Sequence, residues 1–117
     1  MASSTPVLVT GGAGYVGGHT CMALAEAGFT PIVYDSLARG WEAFVQWGPL
    51  EKGDIRDRAR LAEVIAKHRP AAVLHFAALI EVGESVKDPG GFFDNNVAGA
   101  LTLIDEAQKA GLKGLVF

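Results

Sequence analysis

Apolar residues recur along this chain in two alternating rhythms. Short β-branched runs at Val7–Thr10 and Ile32–Tyr34 end in glycines and in Asp35 respectively, and both suit strands buried inside a parallel sheet. Between them Val16, Cys21 (or Thr20), Leu24 and Ala27 fall at helical spacing, which predicts a helix over Tyr15–Ala27 with Gly28 as its C-cap. A weak third strand is predicted around Leu50–Lys52. Asp57 is placed to cap a helix running to His68, with Leu61, Val64, Ile65 and His68 on one face and Pro70 as its stop. Ala72–Phe76 reads as a fourth strand. A long helix is predicted from Phe92 to Ala110, turning Phe93, Val97, Leu101, Ile104 and Ala107 to one side, with Gly111 beyond it and Gly114–Phe117 as a fifth strand.

Strands alternating with helices of this length predict an α/β fold, a parallel sheet flanked by helices with right-handed crossovers. In such sheets ligands bind outside the carboxyl ends of the strands, near the switch point between the first and fourth. The residues after Thr10, Tyr34 and Phe76 are therefore expected to converge. The chain stops within its predicted fifth strand, so the sheet is expected to be incomplete there. That strand would present an apolar edge with unpaired N–H and C=O groups, prone to associate with other chains.

Composition narrows the setting. With 117 residues, half hydrophobic and a fifth charged, the chain amounts to one domain or less. A net charge of −3 and ten scattered basic residues argue against a nucleic-acid or anionic-membrane partner. The single cysteine, Cys21, excludes an intramolecular disulfide and a cysteine-based zinc site, and reads as a packing residue. The opening "MASSTP" has no signal-peptide character and no run is long enough to cross a bilayer, so a cytoplasmic location is expected. Glu81, Glu84 and Asp88 read as solvated or capping, and no metal site is predicted. Trp41, Phe44, Val45 and Trp47 read as a short helix or loop packing over the sheet.

The chemistry concentrates in "VLVTGGAGYVGG", where Gly12-x-Gly14-x-x-Gly17 and the offset Gly11-x-x-Gly14-x-x-Gly17 are both satisfied. Fifteen glycines make a chance match easy, but this one follows a predicted strand, opens a helix and is trailed by Asp35 at the end of the next strand. Glycines permit the tight turn and let backbone N–H groups approach a pyrophosphate, and the helix N-terminus favours the anion. Asp35 can accept both adenosine-ribose hydroxyls and would repel a 2′-phosphate, favouring NAD over NADP; Arg39 pulls the other way. In "GDIRD", Asp54 could meet the adenine amino group and Ile55 its ring, or the two could be an N-cap and a core residue. After strand four, Ala77 and Ala78 are small enough for a cofactor to lie beside them. His75 reads as a packed, hydrogen-bonded core residue.

These residues resemble the extended short-chain dehydrogenase/reductase family. The likeness is carried by "VLVTGGAGYVGGHT", "YDSL", "GDIRD", "HFAALIEVGESV" and "DNNVAGAL", spread over nearly the whole chain, and the last two stretches are most similar to the UDP-glucose 4-epimerase branch. The related dehydratases carry an acidic residue and a His where Leu79 and Ile80 stand. The resemblance implies a Rossmann-like sheet with strand order 3-2-1-4-5 and NAD as cofactor. It implies that Gly11, Gly12, Gly14, Tyr15, Val16 and Gly17 contact the pyrophosphate region, and that Asp35, Ser36, Leu37, Ala38, Arg39 and Gly40 surround the adenosine ribose. Asp54 and Ile55 would hold the adenine, Phe76, Ala77, Ala78, Leu79 and Ile80 would line the path to the nicotinamide, and Asn95 would contact the cofactor. Asn96 would support. Ile80 departs from a frequent lysine, and Gly90-Gly91 from a bulkier pair.

In that family a tyrosinate lowered by a lysine takes the proton of the sugar 4-hydroxyl while hydride passes to NAD, giving a 4-keto sugar that is reduced from its other face. The Ser/Thr and Tyr-x-x-x-Lys that do this lie after strand five. Here Tyr15 is followed four residues on by His19 and Tyr34 by Ala38, so no catalytic residue is assigned. The expectation is the N-terminal part of an NAD-binding domain, inactive alone, whose parent takes a small sugar nucleotide and forms a homodimer. Two alternatives stay open. One is a piece of another NAD-dependent sugar-nucleotide epimerase or dehydratase; the other is a non-catalytic dinucleotide-binding or interaction module.

Overall fold

The computed structural model describes residues 4–37, 41–76, 97–112 and 114–116. Five parallel strands form one sheet: β1 (Thr5–Thr10), β2 (Phe29–Asp35), β3 (Leu50–Lys52), β4 (Ala72–His75) and β5 (Gly114–Val116), in the order β3-β2-β1-β4-β5. Among the described residues the helices between them are α1 (Tyr15–Glu26), α2 (Arg58–His68) and α3 (Gly99–Lys109), with a 3-10 turn at Glu42–Phe44. The parallel sheet is the one the alternating pattern predicts, and its strand order is the one the family resemblance implies. The long helix beginning at Phe92, the residues Phe93, Gly90 and Gly91, and the stretch carrying Glu81, Glu84 and Asp88 lie outside the described residues, except for the helix from Gly99 onward.

Period-two alternation along the strands divides the core between the two faces of the sheet. Leu8, Ile32, Tyr34 and Val73 point to one face, where Leu61, Val64 and Ile65 of α2, Leu103 and Ala107 of α3, and Ile55 cover them. Val7, Val9 and Val33 point to the other, against Ala13, Cys21 and Leu24. Val45 and Trp47 also pack on this second cluster, whereas Trp41 and Phe44 stay exposed. Only half of the predicted aromatic cover is therefore realised.

Local chemistry sets the element ends. Asp57 accepts from the Arg60 backbone N–H at 3.1 Å and caps α2, as its spacing predicts. Arg69 closes that helix in the left-handed region, φ 47°, just before Pro70. Gly28, φ 93°, follows α1 in the conformation that a C-terminal glycine supplies.

Two predicted faces are corrected. In α1, Cys21 and Leu24 face the core but Val16 and Ala27 are exposed, because Gly17 and Gly18 bring the helix start down onto the loop before it. Along α3 and just before it, Val97, Leu101 and Ile104 are exposed; of the predicted stripe Ala107 is buried, together with Gly99, Leu103 and Glu106. The reason is a close approach: a Cβ on Gly99 would lie 2.6 Å from Ile55 Cγ1, so the helix presents its narrow side to the core. Arg58 of α2 then pairs with both Asp105 and Glu106, drawing α2 and α3 together.

Candidate functional site

Past Thr10 the chain leaves β1 and turns toward β2, where the Gly11 N–H donates to the Tyr34 carbonyl at 2.9 Å. The four glycines of the turn do different work. Gly11 has φ 73°, a conformation that L side chains rarely adopt. A Cβ on Gly12 would press on Val33 at 2.9 Å, and one on Gly17 would sit 2.3 Å from the Gly11 carbonyl oxygen. Those three are demanded by the fold. Gly14 is not: its φ is −84°, and an added Cβ would meet only the Gly11 oxygen at 3.4 Å.

Gly14 is also the N-cap of α1, with no side-chain cap and no acidic residue in the first turn. The first helical bond is donated by Gly18, to the Gly14 carbonyl at 2.8 Å, so the N–H groups of Tyr15, Val16 and Gly17 have no acceptor among the described residues. Unsatisfied donors at the positive end of a helix make a receptive place for an anion. Tyr15 and Val16 flank it, 76% and 57% exposed.

Asp35, at the end of β2, is buried and braces two loops at once. One oxygen accepts from the Ala13 N–H at 3.0 Å and the other from the Leu37 N–H at 2.7 Å. Each oxygen keeps a second lone pair, so the carboxylate can still accept from two hydroxyls. Leu37 follows with φ 66°, a strained conformation for a leucine, and packs its side chain on the second core cluster; Ser36 is exposed. Ala38, Arg39 and Gly40 lie outside the described residues, as do Ala77, Ala78, Leu79, Ile80, Asn95 and Asn96.

The turn after β3 bears on the alternatives at Asp54 and Ile55. The Ile55 side chain is buried in the main core beside Gly99, as the core-residue alternative expects. Asp54 is not the N-cap, which is Asp57. Its carboxylate is gripped by Arg56, from the backbone N–H at 2.8 Å, Nε at 2.9 Å and Nη2 at 2.7 Å, and this hydrogen bonding holds its pKa below the usual carboxylate range. Asp54 therefore presents a fixed, ionised acceptor at the strand ends.

At the floor of the site, Thr10 and His75 stand side by side as partners of β1 and β4. The Thr10 hydroxyl lies 2.6 Å from His75 Nδ1, and its oxygen accepts from the Phe76 N–H at 3.2 Å. Burial lowers the pKa of the His75 imidazole, which favours the neutral ring. His75 is the packed core histidine its strand predicts. Sequence reasoning passed over Thr10 and Tyr34, because both sit in β-branched or aromatic runs that read simply as core.

The described residues bring the glycine turn, Asp35, Asp54 and Phe76 to the carboxyl ends of β1 to β4. Among them no group of three or more His, Cys, Asp or Glu side chains could hold a metal ion, and no helix is long and apolar enough to cross a membrane.

Known proteins share this arrangement. The UDP-glucose 4-epimerase of Rhizobium leguminosarum bv. trifolii is 64% identical over 117 residues, which is 100% of this chain and 36% of that protein. A UDP-glucose 4-epimerase of Klebsiella pneumoniae is 41% identical over 119 aligned residues, 95% of this chain and 86% of its own length. Among solved structures, the UDP-glucose 4-epimerase of Brucella ovis in complex with NAD superposes with a TM-score of 0.92 at 46% identity, covering 96% of this chain and 34% of that one. The chain thus spans about a third of the length of most of the relatives it matches. The sequence profile of the NAD-dependent epimerase/dehydratase family matches residues 7–117, and the chain belongs to that family.

Proposed function

We propose that this chain is the NAD-binding portion of a UDP-glucose 4-epimerase, and that the further length of its relatives supplies the catalytic and sugar-binding residues. Bound NAD would supply a hydride acceptor and donor for interconversion of UDP-glucose and UDP-galactose. The residues of this chain would do the holding: the first-turn N–H groups of α1 take the pyrophosphate, Asp35 the adenosine ribose and Asp54 the adenine amino group. The reading extends to Ala38, Arg39 and Gly40 around the ribose, to Ala77, Ala78, Leu79 and Ile80 beside the nicotinamide path, and to Asn95. A homodimer is the expected assembly of the longer protein.

Neither tyrosine can act as the base. Tyr15 lacks a lysine four residues on and lies against His19, ring centroids 4.5 Å apart. Tyr34 is fully buried, burial raises its pKa, and its hydroxyl is committed to the Asp54 carbonyl. By itself the chain should bind the cofactor and epimerise nothing.

Gly14 carries this reading. The fold leaves room for a side chain there, so the glycine is accounted for by a ligand that must come close to the backbone. Calorimetric titration of the chain with NAD and NADP tests it, with light scattering to follow association through β5. The wild-type chain should prefer NAD. Gly14→Ala should keep its circular dichroism and melting curve while losing about tenfold in NAD affinity, equivalent to 1.4 kcal/mol. No binding by the folded wild-type chain, or unchanged binding by the variant, overturns the reading.

A further inference from the structure

Tyr34 is a large polar side chain that the holding scheme leaves unused. It is fully buried on β2, immediately before Asp35, and points to the sheet face opposite Asp35. Its phenol runs beneath the turn that follows β3, and the hydroxyl donates to the Asp54 carbonyl at 2.7 Å. Gly53 lies flat on the ring: a Cβ there would be 2.5 Å from the Tyr34 oxygen and 2.7 Å from its ring carbons. The Gly53 N–H meanwhile donates to the Asp35 carbonyl at 3.0 Å, and the Asp57 N–H to the Asp54 carbonyl at 3.0 Å. The turn 53–57 is thus fixed from below by one phenol and from the side by the end of β2.

We infer that Tyr34 is a positioning residue for adenine recognition, acting through Asp54: its hydroxyl sets the height of the Asp54 backbone, and so the place where the Asp54 carboxylate meets an adenine amino group. The inference rests on the dinucleotide reading of this site and names the residue behind its base selectivity. A buried hydroxyl is suited to the task. It is held by the surrounding core, and losing it leaves the Asp54 carbonyl one donor short without emptying the space the ring fills.

The test is base preference. Affinities of the full chain for NAD and for nicotinamide hypoxanthine dinucleotide, which has a carbonyl in place of the adenine amino group, are measured by calorimetry in wild type, Tyr34→Phe, Asp54→Ala and the double variant. In wild type the ratio should favour NAD. Tyr34→Phe should lower that ratio by about fivefold, the worth of one ordinary hydrogen bond. The double variant should show the ratio of Asp54→Ala alone. A purely structural role would weaken both ligands equally and leave the ratio unchanged, and that result overturns the inference. Amide exchange without nucleotide gives a second readout: Tyr34→Phe should speed exchange at Gly53 to Asp57 and leave β1 and α1 unchanged. Unaltered exchange in the turn refutes the anchor. A wild-type chain that binds neither dinucleotide removes the dinucleotide reading and this inference with it, whereas wild-type binding with an unchanged ratio in Tyr34→Phe removes the anchor alone.

Discussion

Replacing Glu51 by Gln should destabilise the fold in a way that disappears in acid. Glu51 stands in β3 opposite Tyr34 and is buried against α2. His68 Nε2 contacts one carboxylate oxygen at 2.6 Å, Lys67 Nζ reaches the same oxygen at 2.9 Å, and Arg60 Nη2 donates to the other at 3.0 Å. These hydrogen bonds, led by that to His68, hold the Glu51 pKa at about 2, against an ordinary 4.5. A depression of that size corresponds to a ceiling of about 3.4 kcal/mol at 1.36 kcal/mol per unit. The Lys67 side chain is 63% exposed and solvent screens it, so roughly 1–2 kcal/mol is the realistic share. The folded pKa lies below the unfolded one, so this stability is complete above about pH 4.5 and fades as pH falls toward 2. Urea denaturation of wild type and Glu51→Gln from pH 7 to pH 3 reads the difference directly. It should hold near roughly 1–2 kcal/mol down to pH 5 and shrink below pH 4.5. A difference of the same size at pH 7 and pH 3 would refute the charge argument and assign the effect to lost packing.

Two shorter predictions concern the α1 side. Gly17→Ala forces a methyl against the Gly11 carbonyl and the Gly12 backbone, and should destabilise the chain by about 2–3 kcal/mol in urea unfolding. A loss below half a kcal/mol would mean that the turn yields easily. Cys21 is buried and burial pushes its thiol up to about 11, so native protein at pH 8 should react with a thiol reagent far more slowly than denatured protein. Equal rates would place the thiol at the surface.

The strands and the glycine turn could be read in advance because both rest on short-range rules, whereas the order of the strands came from the family resemblance. β-branched runs choose strands, and a glycine triplet between a strand and a helix has few conformations open to it. β2 begins earlier than its apolar run, at Phe29, although Pro31 lacks an N–H. The loss is harmless, because Val33 on the same edge takes the Pro49 carbonyl while no β3 residue pairs with Pro31. The α3 face was misread for a different reason. Val97, Leu101 and Ile104 form the bulkier stripe, but which stripe meets the sheet is decided by how near Gly99 can come to Ile55, residues 44 positions apart. No periodicity reports that distance. The same is true of Tyr34, whose hydroxyl finds its partner through the pairing of β2 with β3 and the turn that follows.

The Thr10 hydroxyl has a consequence for where charge can settle. It pairs with Nδ1 of His75, and burial lowers the pKa of that imidazole, which favours a neutral ring at the floor of the site. An imidazolium at that depth would compete for any entering phosphate and draw it to the wrong end of the groove. With the floor uncharged, the attraction for an anion among the described residues lies at the first turn of α1. A histidine buried among apolar strands thereby leaves the helix N-terminus as the positive end of the strand-end crevice among the described residues.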